Sequence, residues 1–212
     1  MFLGRIKTWG DPRLKATNPG LHLPGQTIAL VVRQDSSGTT YTFTNHLSVI
    51  REAWRNRGPG VGRMIAWPGN AMKAPGHEGV TGRIKQSQGT IGYIEYGIAR
   101  RAGLAMAWLE NKAGQFVQPH GVSGLATLLH VDLPENLRAF FPDPDGPDSY
   151  PLVTYSWLLL YKHYTDQPKA AALKQYVKWC LTEGQAFSEA LGYVPLAPRL
   201  ATRITAAVDG IQ

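Results

Sequence analysis

Cysteine is almost missing from the 212 residues: Cys180 stands alone. One thiol makes no internal disulfide and no cysteine metal cluster, so cysteine usage does not point to a compartment. Long apolar runs are missing too, and no stretch approaches the roughly eighteen residues of a membrane-spanning helix. The opening Met1-Phe2-Leu3-Gly4-Arg5-Ile6-Lys7 lacks the apolar run of an export signal, so none is expected in this chain. Metal spacing is missing: His22, His46, His77, His120, His130 and His163 match no ligand pattern with each other or with Cys180. All six are read as surface or loop histidines. Asp132, Asp143, Asp145 and Asp148 lack the fixed Gly and closing Glu of a calcium loop. There is no Gly-x-Ser-x-Gly elbow, no nucleophile with an evident base, and no Gly-Lys-Ser/Thr ending of a nucleotide loop. Gly58-Pro59-Gly60-Val61-Gly62 is read as a plain loop. Neither a cofactor nor catalysis is expected.

Acidic side chains are the scarcer charge. Lys and Arg number 22 against 15 Asp and Glu, a net charge of +7. A basic balance steers anions toward the surface but does not choose among nucleic acid, acidic membrane and small oxyanion. The basic residues are scattered, and Arg100–Arg101 is the one tight pair, so no polybasic arm of a nucleic-acid binder is present. Hydrophobic residues make up 43% and aromatic residues 10%, spread along the whole chain. That composition is globular, and the length suits one large or two small domains.

Strand and helix patterns alternate, which predicts an α/β protein with a mixed sheet. Asp11-Pro12 opens a brief helix that Asn18-Pro19-Gly20 ends. Thr27 to Arg33 (TIALVVR) is a nearly continuous apolar run, the mark of a buried strand. A polar turn follows, then a helix from Gly38 with Phe43, Leu47 and Ile50 on one face. Met64 to Trp67, Ile91 to Tyr96, Ala105 to Leu109 and Gln115 to Gln118 read as strands. Glu78 to Lys85, Tyr96 to Ala102 and Gly121 to His130 read as helices. Pro142, Pro144, Gly146, Pro147 and Pro151 crowd together, which predicts a surface crossing or a domain boundary near residue 150. Leu152 to Tyr161 (LVTYSWLLLY) reads as a strongly apolar strand. Asp166 and Pro168 open the next helix, with Leu173, Tyr176, Val177, Cys180 and Leu181 on its buried face. Helices over Gly184 to Ala190 and Leu200 to Val208 close the chain.

The chemistry concentrates at Arg33, Asp35, Ser37, Gly38, Thr39 and Thr40. A helix starting at Gly38 leaves its first N–H groups without helical partners, and its dipole adds positive character there. An oxyanion is favoured at such a spot. Ser37 and Thr39 add hydroxyls, and Gly38 removes a side chain that would bar the ligand from the backbone. Arg33 supplies a charged fork suited to tetrahedral oxyanions. Asp35 is read as the residue that holds the Arg33 guanidinium in place. Ordinary helix capping by Ser and Thr is the competing reading of this string. Trp9, Trp67 and Tyr96 are stacking candidates whose commoner fate is core packing.

Further residues carry a family resemblance. Gly4-Arg5-Ile6-Lys7-Thr8-Trp9-Gly10-Asp11-Pro12, Asn18-Pro19-Gly20, Leu23-Pro24 and Val32-Arg33-Gln34-Asp35-Ser36-Ser37-Gly38-Thr39-Thr40 resemble the PstS-type phosphate-binding proteins. So do Trp67-Pro68, Gly76-His77-Glu78-Gly79-Val80, Ile91-Gly92-Tyr93-Ile94-Glu95-Tyr96, Tyr150-Pro151, Gly184-Gln185 and Gly192-Tyr193-Val194-Pro195-Leu196. The matches run in order over almost the whole chain. The resemblance implies a periplasmic-binding-protein-like fold of the type II class, two α/β lobes closing on dehydrated phosphate, here N-terminally truncated. It implies that Arg33, Ser37, Gly38 and Thr39 contact inorganic phosphate and that Asp35 braces Arg33. It also implies an ABC-type phosphate permease as partner and a periplasmic or cell-surface location. Thr17, Gly10 and Ser36 depart from the family's usual Leu, Asn and Gly. The family's other wall, with a Gly-rich opening and a proton-accepting carboxylate, would precede Met1. Residues 1–150 are therefore expected to form most of one lobe, and 151–212 the returning part of the other. Two alternatives remain open: an incomplete gene product with weak or no phosphate binding, and an enzyme acting on phosphate esters.

Overall fold

The TIALVVR run becomes β1 (Ala29–Arg33), with Val31 and Val32 fully buried. In the computed structural model, which describes residues 1–212, β1 is the middle strand of a three-stranded sheet. β2 (Met72–Ala74) and β3 (Thr90–Gly92) flank it, both parallel to it. A strand paired and covered on both sides has no solvent face, which is why its sequence is continuous rather than alternating. The register sets Val31 against Met72 on one side and against Gly92 on the other.

Two units divide the chain, Met1–Ala105 and Met106–Gln212. The first holds α1 (Pro12–Ala16), α2 (Gly38–Ile50), α3 (Glu52–Arg57), α4 (Gly76–Gln86) and α5 (Tyr96–Arg101) besides the sheet. α1 starts as its sequence dictates, with Asp11 accepting from the Arg13 N–H and Pro in the first turn. α4 packs Val80 against Val31 and Ala74, with Ile84 and Ile94 beside them. A second cluster is aromatic: Phe2, Phe43, Trp67 and Tyr93 pack ring on ring, and Trp67 also meets Trp54.

The buried face of α2 is not the expected Phe43–Leu47–Ile50 stripe. Phe43 is buried, but Thr40, Thr44, His46 and Ser48 share that face and Ile50 is exposed. His46 is thus a core residue and not a surface histidine. Met64 to Trp67 forms no strand. Pro68 and the left-handed Gly69 follow directly and end any extension, and pairing with β1 falls to Met72–Ala74 instead. α3 had no signal strong enough to be read from sequence.

The second unit holds a short antiparallel pair, β4 (Leu109–Glu110) and β5 (Phe116–Val117). Its helices are α6 (Gly121–Leu129), α7 (Gln167–Leu181), α8 (Ser188–Leu191) and α9 (Pro198–Asp209), with a 3-10 turn over Glu183–Phe187. Asp166 caps α7 by accepting from the Lys169 N–H, and the left-handed Gly192 ends α8. Val177, Leu181, Val208 and Ile211 form its core, with Leu160, Tyr164, Leu196 and Ile204 packed around. On α7 the buried positions are Ala170, Val177 and Leu181; Tyr176 is exposed and Cys180 half-buried.

One expectation fails in this unit. Leu152 to Tyr161 alternates like a strand, with Tyr155 and Trp157 half-buried against Phe141 and Phe140, yet it joins no sheet. Leu159 is 94% exposed. An apolar run becomes a strand only where another edge offers its N–H and C=O groups, and β4 and β5, at two residues each, offer none in reach. The compact units part at Ala105, and the Pro-rich segment lies inside the second unit. It is bolted there by side chains: Asn111 donates to the carbonyls of Gly146, Pro147 and Ser149, and Thr127 to that of Tyr150. Proline density marks a segment poor in ladder bonds, and here side-chain donors satisfy its carbonyls.

Candidate functional site

At the C-terminal end of β1 the chain turns through Gln34–Ser37 and enters α2. In open parallel sheets, ligands sit outside the carboxyl ends of the strands, where neighbouring connections leave on opposite sides. β1 is such a place, because its next partner in sequence, β2, lies on one side and β3 on the other.

Ser37 is the N-cap of α2, extended at φ −138 and ψ 131, and its Oγ accepts from the Thr40 N–H at 3.2 Å. The Ser37 N–H is engaged as well, donating to the Arg63 carbonyl at 2.9 Å. That leaves the N–H groups of Gly38 and Thr39, the first two of the helix, without an acceptor in the chain. Gly38 faces open space: a Cβ built on it meets nothing within 4 Å. Gly38 is exposed and Thr39 half-exposed, while Ser37 and Thr40 are buried. The junction is therefore buried at Ser37 and Thr40 and open to solvent at Gly38.

Arg33 ends β1 with its side chain only 9% exposed. Its Nε donates to Asp35 Oδ1 at 2.8 Å and its Nη2 to Asp35 Oδ2, a two-pronged pairing. Nη1 makes no hydrogen bond within the chain. Asp35 is fixed in turn, since its Oδ1 also accepts from the Gly76 N–H at 3.0 Å. These donors hold the Asp35 carboxyl far below the ordinary carboxylate range, Arg33 first and the Gly76 amide second. The same pairing raises the Arg33 guanidinium further, so both groups are fully charged near neutrality.

Gly76 could not be found from local sequence. It lies 41 residues from Asp35 and opens α4 with φ +61. Only glycine holds that angle without strain, at a saving of roughly 1–2 kcal/mol over other residues. The left-handed turn aims the amide at Asp35. Next to it, His77 accepts from the Glu95 N–H at 3.3 Å. Burial, and then the nearby Arg33 charge, lower its pKa, so the imidazole is neutral and adds no second cation. Tyr93 was also missed as a site neighbour; its hydroxyl lies between Arg33 and Thr40. The stacking candidates do not reach the site. Trp67 is buried in the aromatic cluster, the Trp9 indole N–H donates to the Gly89 carbonyl, and Tyr96 lies under Arg100.

All five expected residues thus belong to one junction. It brings together a guanidinium nitrogen, two amides and the hydroxyls of Ser37 and Thr39, all groups able to donate, with the Ser37 oxygen also accepting from the Thr40 N–H. Such a set stabilises a tetrahedral oxyanion. The free space at Gly38 yields a prediction. Gly38→Ala is expected to leave the melting temperature unchanged or slightly higher, since a less flexible residue lowers unfolded-state entropy by about 0.4–1 kcal/mol. The same methyl intrudes where an anion would meet the amides, so anion affinity is expected to fall about tenfold. Thermal melting and an anion titration on one sample check both halves.

A family model described as a PBP superfamily domain matches residues 1–183. The phosphate-binding protein PstS of Haemophilus influenzae is 38% identical over 199 residues, covering 92% of this chain and 59% of that protein. The phosphate-binding protein PstS of Xylella fastidiosa, strain Temecula1, is 36% identical over 209 residues, covering 97% of this chain and 57% of that one. The chain spans less than two thirds of the length of these relatives. Among solved structures, a phosphate-binding protein from Stenotrophomonas maltophilia superposes with a TM-score of 0.70 at 18% identity, over 97% of this chain and 61% of that chain. That likeness establishes the fold.

Proposed function

Since the chain belongs to the PBP superfamily, we propose that its β1–α2 junction binds inorganic phosphate and that the chain acts as a non-catalytic binding module of an ABC-type phosphate import system. Arg33, Ser37, Gly38 and Thr39 are the phosphate contacts, and Asp35 is the brace. The observation that carries this is the pair of unused amides beside an Arg33 whose fork is already fixed by Asp35. Charge distribution supports it. By residue count the first unit holds fourteen Lys and Arg against five Asp and Glu, and the second holds eight against ten. The positive field is therefore centred on the unit that carries the junction, which raises the local concentration of anions. The permease partner and a periplasmic or cell-surface setting belong to the same proposal and rest on the family. No helix is long and apolar enough to cross a membrane.

The magnitude expected of these 212 residues is modest. Four charge-assisted contacts at about 1.5–2 kcal/mol each give roughly 6–8 kcal/mol. Association costs about 4 kcal/mol or more. The balance corresponds to roughly millimolar affinity or weaker. Titration with inorganic phosphate, followed by the amide resonances of the chain, is expected to move Gly38 and Thr39 first and to half-saturate near the millimolar range. Saturation at micromolar phosphate would contradict the weak-binding expectation. Shifts elsewhere, with Gly38 and Thr39 unmoved, would contradict the site. A chromogenic phosphate ester is expected to stay intact in the presence of the chain, which separates binding from esterase chemistry.

A further inference from the structure

We infer that Tyr93 is a positioning residue of the anion site, its hydroxyl tying the end of β1 to the first turn of α2. This inference rests on the phosphate reading above and adds to it a residue sixty positions from Arg33.

Tyr93 follows β3 directly, and its ring is held from several sides. It stacks on Phe43 with centroids 4.7 Å apart and an interplanar angle of 18°, and lies 5.6 Å from Trp67. Phe2 closes a further side at 6.4 Å. A ring so enclosed does not swing, so the position of its oxygen is set by the core. That oxygen accepts from the Arg33 N–H at 3.3 Å and bonds the Thr40 hydroxyl at 2.8 Å. Thr40 is 1% exposed, and its own N–H is the one capped by Ser37. One phenol oxygen therefore joins the backbone of the residue that offers the guanidinium to the turn that offers the amides. The covalent connection between the strand and the helix here is the polar loop Gln34–Ser36. Distance between guanidinium and amides decides whether both reach one tetrahedral anion, and small displacements in such constellations are costly. Burial raises the Tyr93 hydroxyl above its ordinary value of 10.0, so it stays protonated and can donate.

The test uses the 212-residue chain and inorganic phosphate, read by the Gly38 and Thr39 amide resonances and by the Arg33 Nε–Hε resonance. Tyr93→Phe keeps the ring and removes only the oxygen; Thr40→Val removes the other end of the bond. Each is expected to weaken phosphate binding about tenfold, and to shift the Arg33 Nε–Hε resonance even without phosphate. Thr40→Ser retains a hydroxyl and is expected to bind as wild type. A purely structural role for Tyr93 would lower the melting temperature and leave the affinity and the Arg33 resonance in place. Wild-type affinity in both Tyr93→Phe and Thr40→Val, with Arg33→Ala inactive, would overturn the positioning role and leave the phosphate reading standing. Undiminished affinity in Arg33→Ala would remove the reading and the role together. Should Tyr93→Phe fail to fold, Thr40→Val, near-isosteric with the native side chain, decides alone.

Discussion

Arg33→Ala is expected to abolish measurable phosphate binding by the 212-residue chain. Two effects add in the same direction. The guanidinium, a full positive charge held at the junction with a nitrogen to spare, is lost. Asp35 then stays behind as an uncompensated carboxylate, still fixed by the Gly76 amide. A bracing anion becomes a repelling one. Removing one member of a close charge pair costs at least about 2 kcal/mol in binding, roughly thirtyfold, and from a millimolar starting point that leaves nothing to detect. Arg33→Lys separates charge from geometry. An ammonium keeps the sign but loses the fork that engages both Asp35 oxygens, so it is expected to recover only part of the affinity. The double variant Arg33→Ala with Asp35→Asn isolates the repulsion: it should bind better than Arg33→Ala alone and worse than wild type. A phosphate titration of the four proteins at fixed ionic strength provides the check, since salt screens the very terms compared. Full affinity in Arg33→Ala would place the anion elsewhere.

What could be read from sequence at this site was what lies close in sequence. Arg33 and Asp35 are two apart and pair through both carboxylate oxygens, while Ser37 caps the Thr40 N–H three residues on, the ordinary capping that the sequence offered as its competing reading. The strand-turn-helix order that gives the amides their direction was legible for the same reason. Gly76 and Tyr93 were not, because their roles depend on β2 and β3 lying beside β1, and pairing partners leave no local trace. Gly76 reads as a loop glycine until its amide is seen on Asp35. Tyr93 reads as one more strand aromatic until its oxygen is located between two backbones.

His46 shows a different failure. Periodicity rules look for apolar stripes, but the buried face of α2 is built from Thr40, Thr44, His46 and Ser48 around Phe43. Small polar residues fill a face where backbone from residues 62–63 passes close by: Thr44 Oγ1 both accepts from the Gly62 N–H and donates to the Gly62 carbonyl. Those loop groups need partners more than the helix needs hydrophobes. Leu152–Tyr161 is the mirror case. Its alternation is strand-like and its composition is apolar, but pairing is a property of two segments, and one segment's pattern cannot supply the other.

The Pro-rich segment carries the last large effect. Asn111 is 5% exposed and serves five groups through one side chain. Its Nδ2 donates to the carbonyls of Gly146, Pro147 and Ser149 at 3.2, 2.8 and 3.2 Å. Its Oδ1 accepts from the N–H groups of Ala113 and Gln115, both at 3.0 Å. The amide thus shapes the β4–β5 turn with one end and holds residues 146–149 with the other. Asn111→Ala removes all five bonds and fills none of the space, so buried polar groups lose their partners at about 1–3 kcal/mol each where water does not replace them. Partial replacement by water brings the expected loss of stability to roughly 3 kcal/mol, at the high end for single substitutions. Asn111→Asp sharpens the argument. The two shapes are nearly identical, yet a carboxylate offers no donor and would face three carbonyl oxygens. It is expected to be as damaging as Asn111→Ala or worse, although it keeps both bonds at Oδ1. A volume or packing role predicts the reverse order, with aspartate nearly neutral and alanine the harmful change. Denaturant unfolding of the two variants distinguishes these orders, and an innocuous Asn111→Asp would mean that the Pro-rich segment is held by its own turns and not by this side chain.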